Sequence, residues 1–290
     1  MSALADTPMP PGLSAEWQDW LAGNVVQGCT DADMLSVMRE QGFDGQYARV
    51  AIAVVRSMTE RVQRAHPAVL DPYAADPLRL PDASRVRAVD RDIQIALAVQ
   101  DPNVALIEDL LSQAECEELI ALSDGKLQRS EVVEPDGRLA ISGVRTSRGT
   151  HFAVGENPVV ARLEARIAAL VDKPVEHGEP LQILHYGTGG EYLPHHDWFD
   201  PAQPGTAQHL EHGGQRMATM VVYLNTVEAG GDTTFPELGL SVRPRRGSAV
   251  YFEYRNAAGR LDARLLHAGR PVRSGDKWIA TKWVRCGAYV

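Results

Sequence analysis

Between residues 14 and 65, apolar positions recur at intervals of three and four and predict three short helices. Ser14 can cap the first, which carries Trp17, Trp20 and Leu21. Thr30 precedes the second, DADMLSVMREQ, with Asp33 three residues on as a capping-box analogue and Met34, Leu35 and Met38 on one face. Asp44 can open the third, where Val50, Ala51, Val54, Val55 and Met58 recur at helical spacing. The stretch that follows His66, as far as about Arg91, contains four prolines in HPAVLDPYAADPLRLPDASR and little periodicity. It reads as a linker that packs across a neighbouring surface. The predicted organisation is a small α-helical N-terminal region over 1–66, a proline-rich linker over 67–99 and a main domain over 100–290.

From about residue 100 the period changes. VALIEDLL predicts a strand, and Ser112 with Glu115 forms a capping box for a helix that runs to about Ser123 and ends at Gly125. LQRSEVV and RLAISGV flank Asp136-Gly137, a hairpin signal. Asn157-Pro158 starts a helix with Val160, Leu163, Ile167 and Leu170 on one face. Short strands follow: EPLQILHYG, RMATMVVYLN, SVRPRRG, SAVYFEY, ARLLHAGRPV and KWIATKWVR. Many short strands separated by Gly and Pro turns predict a mainly β domain with flanking helices, best matched by a double-sheet jelly roll.

Composition narrows the partners more than the fold. A formal net charge of −9 argues against a nucleic-acid or anionic-membrane partner, which would want a basic face. The three cysteines, Cys29, Cys116 and Cys286, form no CxxC pair and no zinc-type spacing, so a reducing compartment is expected. The first residues show no basic stretch leading into an apolar one, and no run approaches a membrane span. The expected location is cytoplasmic.

Chemistry concentrates in two places. In an extended strand, residues two apart share a face, so His195 and Asp197 of Pro194-His195-His196-Asp197 converge while His196 faces away. His267, in LLHAGRPV and 70 residues beyond Asp197, supplies a third ligand from a distant strand. Two imidazoles and one carboxylate on one side of a metal form the facial triad of non-haem iron(II) oxygenases. Zinc or manganese fits similar ligands. Lys277 lies ten residues after His267 in an apolar strand, GDKWIATKWVR. A five-carbon keto-diacid chelating the metal would extend its far carboxylate to such a buried cation through a charge-assisted bond.

The segment from about Val104 to Arg285 resembles the prolyl 4-hydroxylase branch of the iron(II)/2-oxoglutarate-dependent dioxygenases. The matching stretches are LQILHYGTGGEYLPHHDWF, HGGQRMATMVVYLNTVEAGGDTTFPELGLSVRPRRGSAVYF and LLHAGRPVRSGDKWIATKWVR, in the same order and separation. Lysine, where other branches use arginine, is the specific pointer. The resemblance implies a double-stranded β-helix, a form of jelly roll, with His195, Asp197 and His267 near one mouth. It implies that Tyr186 and Thr233 help Lys277 hold 2-oxoglutarate, and that Tyr192, Arg216 and Trp283 lie near substrate. Arg145, in GVRTSRGTHF, also matches but carries no assigned role. Iron(II), 2-oxoglutarate and O2 are the implied cofactors, with ascorbate as a candidate reductant and succinate and CO2 as co-products.

The expected activity is hydroxylation of an unactivated C–H bond in a prolyl residue of a peptide or protein. A free amino acid or small metabolite is the alternative substrate, and a non-catalytic iron or 2-oxoglutarate sensor the alternative of another class. The loop FDPAQPGTAQHLEHGGQ is expected over the active-site mouth, with His209 and His212 as solvated loop residues. The N-terminal helices read as a structural cap or homo-oligomer contact. Their Met-Arg-Glu-Gln-Gly-Phe turn is faintly similar to ubiquitin-associated domains, which makes an interaction module the alternative.

Overall fold

The computed structural model describes residues 12–26, 29–65, 73–133, 137–141 and 143–289. They fall into two compact units, residues 1–72 and 73–290. The first contains α1 (Ala15–Val26), α2 (Asp31–Glu40) and α3 (Gly45–Ala65). Thr30 caps α2 by accepting from Asp33 N at 3.2 Å, and Asp44 Oδ1 accepts from Gln46 N and Tyr47 N at 2.9 Å each. Leu21, Met34, Met38, Ala48, Ala51, Ile52 and Val55 form its core. On α3, Val50 and Met58 are 47% and 46% exposed, unlike the expected shared face. At 100° per residue the buried stripe is set by Ala48, Ala51, Ile52 and Val55, and Val50 points the other way.

The second unit begins with β1 (Arg85–Ala88), β2 (Arg91–Val99), β3 (Asn103–Glu108), α4 (Gln113–Asp124), β4 (Gln128–Arg129), β5 (Glu131–Val133), β6 (Leu139–Ile141), β7 (Arg148–Phe152) and α5 (Pro158–Val171). It continues through β8 (Leu181–Tyr186), β9 (Tyr192–His195), α6 (Ala207–Leu210), β10 (Arg216–Tyr223), β11 (Ala229–Gly230), β12 (Thr233–Phe235) and β13 (Leu240–Val242). Then come β14 (Ala249–Glu253), β15 (His267–Gly269), β16 (Val272–Ser274) and β17 (Lys277–Arg285). A nine-stranded sheet runs β1-β2-β3-β14-β10-β17-β8-β7-β4, and a four-stranded sheet runs β13-β12-β15-β9. The hairpin expected around Asp136-Gly137 forms between β5 and β6, while Asp136 itself lies outside the described residues.

Two differences from the sequence expectation stand out. β1 and β2 occupy 85–99, inside the stretch read as linker, because the prolines before residue 82 dominated that window and hid the alternation after it. The remainder, from Tyr73 on, is held down as expected of a packed strap: Asn256 Nδ2 donates to Ala74 O at 3.0 Å and Asn103 Nδ2 to Asp76 O at 2.8 Å. SVRPRRG is strand only as far as Val242, since Pro244 cannot donate to a ladder.

Alternation along the central strands sorts side chains into two layers. On β10, Ala218, Met220 and Val222 join α4 and α5 in one core, with Leu119, Leu163 and Ile167. Val221 and Tyr223 face the small sheet, together with Phe235 and Val242. On β17, Trp278 and Ala280 face the helices and Ile279 the second core. The helical layer is locked by Arg166 of α5, which binds Asp90 at 2.7 Å and Glu115 of the α4 capping box at 2.7 Å. No helix among the described residues is long and apolar enough to cross a membrane.

Candidate active site

β9 and β15 are antiparallel neighbours, and their register sets His195 directly opposite His267. Asp197 follows β9 by two residues. The ligand atoms of these three side chains all lie within 4.8 Å of one another, and Asp197 and His267 are buried. Asp197 Oδ1 is 3.7 Å from His195 Nε2, and Oδ2 is 3.5 Å from His267 Nε2. Each histidine places Nδ1 on the carbonyl two residues earlier, His195 on Leu193 at 2.8 Å and His267 on Leu265 at 3.1 Å. A carbonyl only accepts, so Nδ1 carries the proton and Nε2 turns a lone pair inward. Burial and the neighbouring His267 push His195 down to about 3, which keeps its imidazole neutral. Burial alone would raise the Asp197 carboxyl, but His267, His195 and Arg216 outweigh it and hold it below the usual carboxylate range. Two neutral nitrogens and one anionic oxygen on one side of a point are a donor set that fits ferrous iron. His196 turns away as expected, 3.0 Å from Ala263 O and stacked on Trp198.

Lys277 opens β17 opposite Tyr186 of β8. It is 3% exposed, with Nζ 5.7 Å from the Tyr186 ring centre and 5.8 Å from that of Tyr223. No hydrogen bond or ion pair engages Nζ among the described residues. Burial pushes the ammonium down to about 8, against a weaker opposing pull from Asp232. Gly231, at φ +70°, leaves the room: a Cβ there would stand 3.3 Å from Lys277 Cδ. Thr233 Oγ1 accepts from Tyr223 OH at 2.8 Å, so a threonine hydroxyl is tied to one of the two tyrosines beside the buried cation. Such a pocket fits a carboxylate. Tyr223 was not singled out in the sequence; its only signal was a polar atom on the inward-facing positions of MVVYLN.

A groove of about 1540 Å³ passes His195 and Asp197 and is also lined by Arg145, Tyr192, Phe199, Arg216 and Trp283. Tyr192 stacks on His195 with ring centres 3.5 Å apart, and Arg145 lies 5.0 Å from the Tyr192 ring. Arg145 also donates to Gln182 Oε1 at 2.7 Å, which gives this side chain a structural place the sequence did not supply. Arg216 sits 3.8 Å over the Trp283 ring, donates to Asp197 O at 3.0 Å and grips Glu179 at 2.6 and 2.8 Å. Glu179 also accepts from Arg285 at 2.6 Å; no motif in the sequence marked it. Trp283 Nε1 is buried without a hydrogen-bond partner among the described residues. The expected mouth loop contains α6. His209 there is half-buried rather than fully solvated: it stacks on Phe199 with centres 5.0 Å apart, and its Nε2 lies 3.0 Å from Gly137 O. Neither His209 nor His212 belongs to the ligand cluster.

Residues 181–285 match the family model of the 2OG-Fe(II) oxygenase superfamily. The chain is 39% identical over 209 residues to probable prolyl 4-hydroxylase 3 of Arabidopsis thaliana, covering 65% of this chain and 71% of that protein. It is also 39% identical to prolyl 4-hydroxylase 1 of the same plant, over 63% of this chain and 69% of that one. Among solved structures, the viral collagen prolyl hydroxylase of Paramecium bursaria Chlorella virus-1, in its 2OG complex, shares 29% identity. That match has a TM-score of 0.50 and covers 63% of this chain and 95% of that chain. The strand order, the His-Asp-His cluster and these similarities together establish that the chain belongs to the prolyl 4-hydroxylase-like 2OG-Fe(II) dioxygenases.

Proposed function

We propose that this dioxygenase hydroxylates a prolyl residue within a peptide or protein. The observation that carries the reading is the groove beside the triad, whose volume of about 1540 Å³ exceeds the roughly 300–1,000 Å³ of small-ligand pockets. Similarity to prolyl 4-hydroxylases supports the residue type. In this reading His195, Asp197 and His267 hold iron(II). Bound there with 2-oxoglutarate and O2, iron supplies the power to hydroxylate an unactivated C–H bond, releasing succinate and CO2.

The protein's own groups do the rest. Lys277 receives the distal carboxylate of 2-oxoglutarate, with Tyr186 and Thr233 adding hydroxyl contacts and Tyr223 orienting Thr233. Tyr192, Arg216 and Trp283 line the substrate side. Arg216, fixed by Glu179, keeps Trp283 in place through the ring face.

The test couples succinate release to mass spectrometry, with iron(II), 2-oxoglutarate and ascorbate present. Proline-containing peptides are expected to gain one oxygen, and His267→Ala to abolish both signals. A gain of oxygen on free amino acids alone would overturn the peptide reading in favour of a metabolite hydroxylase.

A further inference from the structure

Asp197 Oδ2 accepts a hydrogen bond from Thr219 Oγ1 at 2.7 Å. Thr219 lies within β10 and is fully buried, and its Oγ1 is 3.2 Å from the hydroxyl of Tyr254, which is also fully buried. The direction of this chain follows from proton counting. An ionised carboxylate only accepts, so the one hydroxyl proton of Thr219 goes to Asp197. The 3.2 Å contact must then run from Tyr254 O–H to Thr219 Oγ1. Burial, reinforced by Asp197, pushes the Tyr254 phenol well above its ordinary value, so it retains the proton it donates.

The arrangement also crosses the sandwich. Asp197 follows β9 of the four-stranded sheet, whereas Thr219 belongs to β10 and Tyr254 follows β14, both of the nine-stranded sheet. β10 and β14 are hydrogen-bonded neighbours with Thr219 opposite Phe252, so the two hydroxyls are carried by one rigid ladder. A β-branched residue suits the centre of any sheet, and packing alone would be served by valine. The hydroxyl is what packing does not require.

We propose that Thr219, backed by Tyr254, is a positioning residue that fixes the Asp197 carboxylate and leaves Oδ1 as the oxygen offered to iron. A carboxylate free to turn about χ2 presents both oxygens to the metal. That consumes a coordination position which the co-substrate and O2 require. With Oδ2 tied to the opposite sheet, the carboxylate stays a single-oxygen ligand. The inference rests on reading His195, Asp197 and His267 as the iron site.

Binding of Mn(II) to the full chain, followed by the electron paramagnetic resonance signal of the free ion, tests it apart from turnover. Thr219→Val should weaken binding roughly 10- to 100-fold, the usual cost of losing an outer-sphere partner, and Tyr254→Phe should weaken it less. Thr219→Ser, which restores the hydroxyl, should return affinity to within about threefold of wild type. At saturating iron(II) and 2-oxoglutarate without O2, Thr219→Val should also shift the visible charge-transfer band, which a packing defect would not do. Thermal unfolding of the metal-free variants reports folding, and if Thr219→Val does not fold, Tyr254→Phe and Thr219→Ser carry the test. Wild-type affinity in Thr219→Val, or failure of Ser to recover it, overturns the inference. Wild-type protein that binds no Mn(II), or binds it equally after His267→Ala, overturns the triad reading itself and this inference with it.

Discussion

Replacing Lys277 by Met should destroy 2-oxoglutarate binding and stabilise the protein at the same time. Lys277 is 3% exposed, no counter-charge lies in bonding distance among the described residues, and burial lowers the ammonium from 10.5 to about 8. At about 1.4 kcal/mol per pK unit, keeping this group protonated costs the folded state roughly 3 kcal/mol. The sign follows from the depressed value of a cationic group. Below pH 8 the folded chain bears the full penalty; between 8 and 10.5 it has released the proton while the unfolded chain has not, and the penalty shrinks. Methionine keeps the unbranched apolar stem against Tyr186 and Tyr223 and removes the charge. In urea unfolding of metal-free, 2-oxoglutarate-free protein at pH 7, Lys277→Met should gain about 2–3 kcal/mol, most of it gone by pH 10. With metal already bound to both proteins, adding 2-oxoglutarate should stabilise wild type further and leave the variant unmoved. A variant no more stable than wild type at pH 7 would refute the claim that the free site stores an uncompensated charge.

The same group sets a pH dependence for the co-substrate. On the proposed role of Lys277 as the protonated partner of 2-oxoglutarate, the apparent affinity should be flat below about 8 and fall about tenfold per pH unit above it; a profile flat to pH 9.5 in KM for 2-oxoglutarate would contradict this. Elsewhere, Arg166→Ala should cost about 2–3 kcal/mol, since it removes the nearest cation from Glu115, whose carboxyl burial would raise but Arg166 and Ser112 together hold down to about 2, and leaves it to Ser112 and Arg162. Chemical denaturation measures this, and a loss under 1 kcal/mol would show that the pairing gives little net stability beyond the desolvation it costs.

Much of the metal site was legible before any coordinates. His-x-Asp is read by the two-residue repeat of an extended strand, a local rule that needs no knowledge of the fold. His267 and Lys277 became legible through their spacing and surrounding stretches. Capping residues worked for the same local reason: Ser112, Thr30, Asp44 and Asn157 all bond the backbone amides expected of them. Composition over a window served less well. Prolines near residue 72 obscured the β1–β2 hairpin, and the apolar repeat in α3 named a face that included Val50, which faces solvent.

Tertiary structure decided which groups meet across long separations. Glu179 joins Arg216 and Arg285, Arg145 reaches Gln182, and Thr219 reaches Asp197 through the sandwich core. Glu179, Gln182 and Thr219 are ordinary strand or turn residues to a reader of the chain, because hydrogen bonds between distant segments carry no sequence period. His209 shows the limit in the other direction: a polar loop composition reads as solvated, but Phe199 and the carbonyl of Gly137 were already in place to take the ring. By itself, then, the sequence determined the His-Asp-His set, the lysine ten residues beyond it and the β architecture, since these rest on local periodicity and spacing. Only the folded chain decided the groove, the counter-charges and the hydroxyl pair behind Asp197, since these depend on which strands become neighbours and which faces close on one another.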